Sequence, residues 1–292
     1  MRITEAERVL RRIPHLEGDA LAVSRSIHRG VLKAGRPARA ATDVLHGKWL
    51  GHPLHAALTD LTVGAWLLTP VFDWLGWVCE SEGAKRAADR LVDVGNTCAL
   101  PTALAGLTDF STIPHGAMAT GAVHGLLNVC ALTLNLLSAS ARRSGHRSLG
   151  TMLSAAASGG LLLSAWLGGE LVYRQKVGVN RTARPCGPRD WTAVLDEQNL
   201  QEDIPRRVEV EGAPVLLYRH EGVLYAIGAV CGHAAGPLEN GSFEGRRVTC
   251  PWHQSVYDLC NGGVVHGPTT YAEALYDVRT QNGKIELKLK DA

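Results

Sequence analysis

The chain has 292 residues, with 30 lysines and arginines against 28 aspartates and glutamates, so its formal net charge is only +2. A charge this small excludes the broad electrostatic attraction that nucleic-acid binding needs, and we predict no nucleic-acid partner. The length suits two domains, and an odd number of cysteines, seven, argues against a disulfide framework.

The first 48 residues carry ten lysines and arginines in polar, alanine-containing sequence. Thr4 precedes a glutamate-rich turn and is a candidate cap for a short helix. We predict a solvated basic N-terminal arm over residues 1–48.

Four apolar segments follow, and each has about the 20 residues that a bilayer-spanning helix requires. They are residues 56–79, 91–110, 117–140 and 149–173. A soluble four-helix bundle is the alternative, because Asp60, Asp73 and Asn96 lie within these segments. Runs such as LLLSAWLGG, however, lack the polar stripe of a soluble helix, and small residues are frequent, as in packed transmembrane helices. We predict an all-α transmembrane four-helix bundle over residues 49–176.

Basic residues flank both ends of the predicted bundle. Arg39 and Lys48 precede the first span, and Arg174 and Arg181 follow the last. Four spans return the chain to the side on which it started, and the basic side is typically cytoplasmic. We therefore predict a multi-pass protein of the cell membrane with a cytoplasmic C-terminal domain.

Residues 177–205 are polar and proline-containing, and we predict a linker there. The periodicity then changes to two, which indicates β-strands. Glu221-Gly222 and Asn282-Gly283 each separate two β-rich runs and predict hairpins. We expect a small all-β domain over residues 206–292.

Two short motifs in this domain supply metal ligands, Cys231-x-His233 and Cys250-x-x-His253, with sixteen residues between them. A structural zinc with two thiolates and two imidazoles is one interpretation. Zinc fingers, however, usually pair the two cysteines first and the two histidines second. One cysteine and one histidine from each loop suit a two-iron cluster better, because each loop then reaches both irons.

The surrounding sequence resembles a Rieske [2Fe-2S] domain over residues 206–290. AVCGHAAGPL resembles the first cluster loop, VTCPWHQSVYDL the second, and GGVVHGP the later loop that covers the cluster. The resemblance implies one Rieske cluster, with Cys231 and Cys250 on the inner iron and His233 and His253 on the outer iron.

The same resemblance implies four residues that tune the cluster. Ser255 and Tyr257 match hydroxyl donors to the cluster sulfurs in Rieske proteins of quinol-oxidising complexes, whereas Gly267 and Pro268 belong to the covering loop. The extra disulfide of that group is absent. We therefore expect an intermediate reduction potential.

The segment LHGKWLGHPLHAALTDLTVGAW, with GLTDF, VHGLLN and GGELVYRQKVGV further on, resembles domain of unknown function 2231 over about residues 44–180. This four-span bacterial membrane family is often joined to a Rieske domain. The resemblance supports the topology and implies no established activity.

Six ionisable residues of the predicted bundle should gather near its inner end, and ionisable groups within a membrane indicate a functional site. They are His52, His55, Asp60, Asp109, His124 and Glu170. Three interpretations stay open: histidine ligation of haem b, a non-haem metal or quinol site, and ordinary structural hydrogen bonds. Many members of the family have histidine at the position of Glu170, which weakens a scheme that needs four histidine ligands.

We predict a membrane-bound electron-transfer protein that exchanges electrons with a redox partner protein or a quinone and contacts membrane lipid. A sensor of redox state or nitric oxide with a passive anchor is the alternative. Aromatic-ring oxygenases need a further domain with a mononuclear iron, and only two residues follow Lys290, so we do not expect an oxygenase.

Overall fold

The computed structural model describes residues 5–10, 12–184 and 186–290, and the candidate cap Thr4 lies outside them. The chain forms two compact units. The helical unit contains Met1–Lys33 and Pro53–Val177, and the β unit contains Ala34–His52 and Gly178–Ala292. The predicted basic arm is thus divided between the two units.

The described helices are α1 (Glu5–Leu10), α2 (Leu16–Lys33), α3 (Arg36–Leu45), α4 (Leu54–Val78), α5 (Glu82–Phe110), α6 (Met118–Arg143) and α7 (Arg147–Gly169). A π-helical turn, Glu170–Arg174, continues α7. Helix α3 belongs to the β unit, and the other six form the helical unit.

Helices α4 to α7 form a four-helix bundle in which α4 and α6 each pack against both α5 and α7. Its interior is lined largely by small residues, such as Ala88, Ala99 and Ala105 of α5 and Ser154 and Ala157 of α7. Small side chains allow helix backbones to approach closely, as in membrane bundles.

Near the middle of the bundle a tryptophan and an asparagine form a buried polar contact. The indole of Trp66, 2% exposed, donates to Asn96 Oδ1 at 3.2 Å. Gly95 allows the indole to fit, because a Cβ atom there would overlap the ring.

The outer surface of the bundle carries the large apolar side chains. Leu68, Leu104, Leu126, Leu162 and Trp166 are all about half exposed or more. Small residues inside and large apolar residues outside are the reverse of a soluble bundle, and this pattern fits a surface in contact with lipid. The membrane character of the unit is therefore built into its packing.

Three of the four long helical segments are long and apolar enough to cross a bilayer: Leu54–Val78, His115–Arg143 and Arg147–Arg174. Helix α5 has the length but is not among them, and its N-terminal half carries several charges, including Glu82, Lys85 and Arg86.

A buried ionic cluster joins the C-terminal parts of α4 and α6 to the N-terminal parts of α5 and α7. The Arg142 guanidinium binds Asp73 through both terminal nitrogens, and Nη1 lies 3.0 Å from Asp89 Oδ1. Arg147 Nη1 lies 3.0 Å from both carboxylate oxygens of Asp89. Asp73, which as an isolated charge favoured a soluble protein, is therefore neutralised.

The β unit contains β1 (Thr192–Asp196), β2 (Arg206–Val210), β3 (Ala213–His220), β4 (Val223–Gly228), β5 (Ser242–Glu244), β6 (Arg247–Thr249), β7 (Val256–Asp258), β8 (Val264–His266), β9 (Tyr276–Gln281) and β10 (Lys284–Leu289). Three antiparallel sheets have the orders β1-β10-β9, β2-β3-β4 and β5-β6-β7-β8. Strand β1 lies inside the predicted linker, 177–205, and pairs with β10.

Both predicted hairpins are confirmed. Glu221-Gly222 joins β3 to β4, and Asn282-Gly283 joins β9 to β10, with positive φ at all four residues. This backbone conformation matches the twist of a tight hairpin, and glycine adopts it at little cost.

Strand β3 separates two hydrophobic cores because its alternate residues point to opposite faces. Val215 and Leu217 pack into the core beside β10, whereas Leu216 and Tyr218 pack into the core that contains Cys231 and other residues of the metal motifs. The two-sided burial explains the continuous apolar run of β3.

Candidate metal centre

Two loops carry the predicted ligands, and they have the same turn. The first ligand loop (229–238) follows β4, and the second ligand loop (249–255) connects β6 to β7. In each loop the cysteine N–H donates to the carbonyl five residues later, and the residue four positions later donates to the cysteine carbonyl. That donor residue, Ala235 or Gln254, has a φ of 64° in both loops.

The turns bring the four predicted ligands together. The ring centroids of His233 and His253 are 5.0 Å apart at an interplanar angle of 82°. The loops meet at Gly236, where a Cβ atom would lie 2.8 Å from Cys250 Sγ. Glycine is therefore required here for the close approach of the second cysteine.

The electrostatics of the two thiols fit a cationic group. A hydrogen bond between them, together with burial, raises the pKa of Cys231, and the same hydrogen bond lowers the pKa of Cys250 to about 7. Ionisation of one thiol therefore disfavours ionisation of the other, and a metal cation bound to both sulfurs would remove this conflict. Two buried sulfurs and two half-buried imidazoles are the donor set of a Rieske cluster.

Each predicted hydroxyl donor accepts a hydrogen bond from a backbone amide, which turns its own proton away from that amide. Ser255 Oγ accepts from the N–H of Thr269 at 3.2 Å, and Tyr257 Oη accepts from the N–H of Gly232 at 3.2 Å. Tyr257 Oη lies 3.1 Å from Cys231 Sγ, and burial raises the pKa of Tyr257, so the phenol keeps its proton. Both hydroxyls thus have a proton available for a sulfur atom.

The covering loop with Gly267 and Pro268 is held by a residue far away in the chain. Asp43 of α3 lies with Oδ2 2.8 Å from His266 Nδ1, and its Oδ1 accepts from the N–H of Gly267 at 2.8 Å. Lys48 Nζ donates to Val265 O at 2.6 Å. Nothing in the sequence indicated this contact, because 223 residues separate Asp43 from His266.

A buried carboxyl group lies behind the first ligand loop. Glu273 is 5% exposed, and its Oε1 accepts from the N–H of Gly232 at 2.8 Å. Burial raises the pKa of Glu273 to about 8, against the lowering effect of the Gly232 hydrogen bond. Sequence reasoning missed this residue. The available signal was the spacing of two from Leu275, a residue of the adjoining core, which places Glu273 on the inward face.

In the helical unit, His55 and His124 face each other with ring centroids 6.3 Å apart and ring planes at 87°. His55 Nδ1 lies 2.9 Å from Thr102 O, and His124 Nδ1 lies 2.8 Å from Ser164 O. Asn128 Nδ2 lies 3.1 Å from His124 Nε2. The hydrogen bonds of the structural interpretation are therefore present.

The other four residues predicted for this site lie near helix ends or on an exposed helix position. His52 precedes α4 and belongs to the β unit, and Asp60 lies on an exposed position of α4. Asp109 is half-buried near the end of α5, and Glu170 Oε1 lies 3.3 Å from Arg174 Nε.

Comparison with known proteins separates the chain into the same two parts. The profile of the Rieske [2Fe-2S] domain matches residues 190–280, and that of a predicted membrane protein family, DUF2231, matches residues 51–181. Both resemblances drawn from the motifs are confirmed.

Relatives of known function match the β unit. The ferredoxin component of the naphthalene 1,2-dioxygenase/salicylate 5-hydroxylase systems of Ralstonia sp is 36% identical over 93 residues, which are 30% of this chain and 89% of that protein. The ferredoxin component of the naphthalene 1,2-dioxygenase system of Pseudomonas aeruginosa is 35% identical over 99 residues, 34% of this chain and 95% of that protein. A solved complex of reduced oxygenase and oxidized ferredoxin in carbazole 1,9a-dioxygenase is 26% identical, with a TM-score of 0.34, over 36% of this chain and 99% of that chain.

Proposed function

Because the chain belongs to the Rieske [2Fe-2S] domain family and carries a DUF2231 membrane domain before it, we propose that it is a membrane-bound electron carrier. The two thiols and two imidazoles of the ligand loops would hold the cluster. The observation that carries this proposal is the matched turn of the two loops, which presents one cysteine and one histidine each at a single place.

The cluster, when bound, accepts and releases one electron. The chain's own residues determine the reduction potential of the cluster and the partner with which it exchanges electrons. Neutral imidazoles in place of two thiolates raise the potential above that of an all-cysteine ferredoxin, into a range of roughly −150 to +300 mV. Ser255 and Tyr257 would raise it further by donating to sulfur, because such bonds stabilise the added negative charge. The thiols are buried away from water, whereas the half-buried imidazoles would form the exposed edge of the cluster site, through which electrons are exchanged.

The partner we propose is a redox protein or a quinone at the membrane. Rieske ferredoxins pair with oxygenase redox partners, as in the solved complex of oxygenase and ferredoxin in carbazole 1,9a-dioxygenase. The bundle would tether this ferredoxin-like domain to the membrane. Basic residues before the first span and after the last support a cytoplasmic position for it.

We further propose that His55 and His124 form a second redox site in the bundle, where they would hold haem b or hydrogen-bond a quinol. A backbone carbonyl next to each Nδ1 favours the tautomer whose Nε2 is free of a proton, which is the form that binds metal. Binding of haem iron by His124 Nε2 would require Asn128 to release that nitrogen, whereas a quinol site would not.

Spectroscopy of the full chain in detergent, purified without oxygen, tests both parts. A Rieske cluster gives characteristic absorption and electron paramagnetic resonance spectra, and haem gives a Soret band. Cys250→Ser should abolish the cluster spectrum, whereas Cys260→Ser, at an exposed cysteine of the same domain, should leave it intact.

A preparation that contains zinc alone would refute the electron-carrier proposal. A cluster-loaded protein without a Soret band would remove haem and leave the quinol version, to be tested by quinol oxidation. A reporter fused after Ala292 tests the membrane side.

A further inference from the structure

Helix α3 lies outside the region that matches the Rieske profile, residues 190–280, yet it belongs to the β unit. Asp43 and His46 are three residues apart at the end of α3, so both lie on one face of the helix. That face rests against Gly267, where a Cβ atom would lie 3.3 Å from His46 Cδ2 and 3.5 Å from Asp43 Oδ1. The covering loop is therefore in direct contact with a helix that is no part of the matched domain.

Asp43 holds the covering loop at two successive residues. Its Oδ1 accepts from the N–H of Gly267 at 2.8 Å, and its Oδ2 lies 2.8 Å from His266 Nδ1. The Asp43 side chain is only 15% exposed, so water competes little for its oxygens. A hydrogen bond from a backbone amide to a carboxylate is stronger than a bond between neutral groups. One short side chain thus fixes both the position and the direction of the chain at this point.

The covering loop in turn holds Ser255. Pro268 has no N–H, so the next amide after that of Gly267 belongs to Thr269, and it donates to Ser255 Oγ at 3.2 Å. Thr269 and Ser255 are both buried. The carbonyl of Ser255 accepts from the N–H of the predicted ligand Cys250 at 2.8 Å. A line of hydrogen bonds therefore leads from Asp43 through the covering loop to the second ligand loop.

A second connection runs through the sheet. His266, the other partner of Asp43, lies on β8 and is paired in register with Val256 of β7. Val256 directly follows Ser255 in the chain. Both partners of Asp43 therefore lead to the same place, and a displacement of the covering loop would displace Ser255 with it.

We propose that Asp43 is a positioning residue for the cluster, which holds Ser255 through the amides of Gly267 and Thr269 and so maintains the part of the reduction potential that Ser255 supplies. The inference rests on the proposed electron-carrier function and on the role of Ser255 within it. Reduction adds one electron to the cluster, and a hydroxyl stabilises the added charge only while it stays directed at a sulfur. Without the Asp43 hydrogen bond the amide of Thr269 moves, and the Ser255 hydroxyl loses its orientation.

The test compares two neutral replacements of Asp43 in the full chain in detergent, with the midpoint potential followed by electron paramagnetic resonance. Both remove the carboxylate charge, which by itself opposes reduction, so the difference between them does not contain that effect. Asp43→Asn keeps an oxygen for the N–H of Gly267, whereas Asp43→Ala does not. The potential of Asp43→Ala should lie below that of Asp43→Asn by at least a twofold change in the reduction equilibrium, about 18 mV for one electron. In the Ser255→Ala background this difference should vanish, because the hydroxyl that Asp43 positions is gone.

Glu286 supplies a matched control, because its carboxylate accepts from Arg279 Nε on the neighbouring strand β9. Glu286→Gln and Glu286→Ala should have equal potentials. Hydrogen exchange gives a second measurement, since the amide of Thr269 should exchange faster in Asp43→Ala than in Asp43→Asn. Equal potentials for the two Asp43 variants, a difference that persists in the Ser255→Ala background, or equal exchange at Thr269 would each overturn the proposal.

Asp43→Glu takes the place of Asp43→Ala if the latter does not fold. It keeps the charge but adds one methylene, so the carboxylate no longer fits against His266 and Gly267 as before. Its potential should lie at least twofold in the reduction equilibrium below that of the natural chain, with faster exchange at Thr269, and unchanged values would overturn the proposal. A Ser255→Ala potential equal to that of the natural chain would refute the donor role of Ser255 and this proposal with it. Absence of the Rieske spectrum from the natural chain would instead refute the proposed function, so the failures are distinguishable.

Discussion

The buried ionic cluster of the bundle gives a quantitative prediction for Arg142. Its side chain is 4% exposed and that of Asp73 is 3% exposed, and Arg142 also donates to Ser138 and Ser154. Removing one partner of a buried ion pair costs about 3–5 kcal/mol, because the other charge stays buried. In Arg142→Ala, Asp73 retains Arg147 Nη2 at 3.1 Å, so we expect the lower end, about 3 kcal/mol.

The neighbouring residue is a matched control. Arg143 is 68% exposed and binds Asp93, which is 41% exposed, so Arg143→Ala should cost no more than about 1 kcal/mol. Unfolding by sodium dodecyl sulfate in mixed micelles, followed by circular dichroism, measures both free energies. Equal losses for the two variants, or a loss below about 1 kcal/mol for Arg142→Ala, would refute the reasoning that burial makes this pair essential.

Three further predictions concern the β unit. Asp43→Ala should speed hydrogen exchange at the amide of Gly267, whose hydrogen bond it removes, and unchanged exchange would contradict a role for α3 in holding the covering loop. Ser255→Ala should lower the midpoint potential by about 20–65 mV, since one hydrogen bond is worth about 0.5–1.5 kcal/mol and a tenfold change is about 59 mV for one electron; a rise in potential would exclude Ser255 as a donor. The hydrogen bond between His220 and Asp203 raises the pKa of His220 above 6.5 and lowers that of Asp203 below 3.8. Its contribution to stability is therefore full between those two unfolded values, fades as pH rises through the raised pKa of His220, and fades as pH falls through the lowered pKa of Asp203. Nuclear magnetic resonance titration should show the pKa of His220 returning toward 6.5 in Asp203→Asn, and no change would contradict the pairing.

Local patterns were sufficient for much of this protein. The long apolar segments, the two hairpin dipeptides and the cysteine–histidine motifs each depend on residues close together in the chain, and their physical meaning is carried by spacing alone. The membrane bundle, the β domain and its Rieske character could therefore be predicted. The role of Tyr257 was implied by the resemblance of the second loop to Rieske proteins, and the fold places its Oη 3.1 Å from Cys231 Sγ.

Contacts between distant residues needed the tertiary structure. Asp43 acts on a loop 223 residues away, and no local pattern of α3 distinguishes it from a solvated basic arm. Glu273 approaches Gly232 only because the chain after the covering loop runs beside the first ligand loop. In the bundle, depth along the helices suggested six clustered residues, and the packing of the side chains brings the rings of His55 and His124 to 6.3 Å from each other. Sequence spacing places a residue at a height or on a face, whereas the choice of its partner depends on how separate elements pack, and only the folded chain determines that.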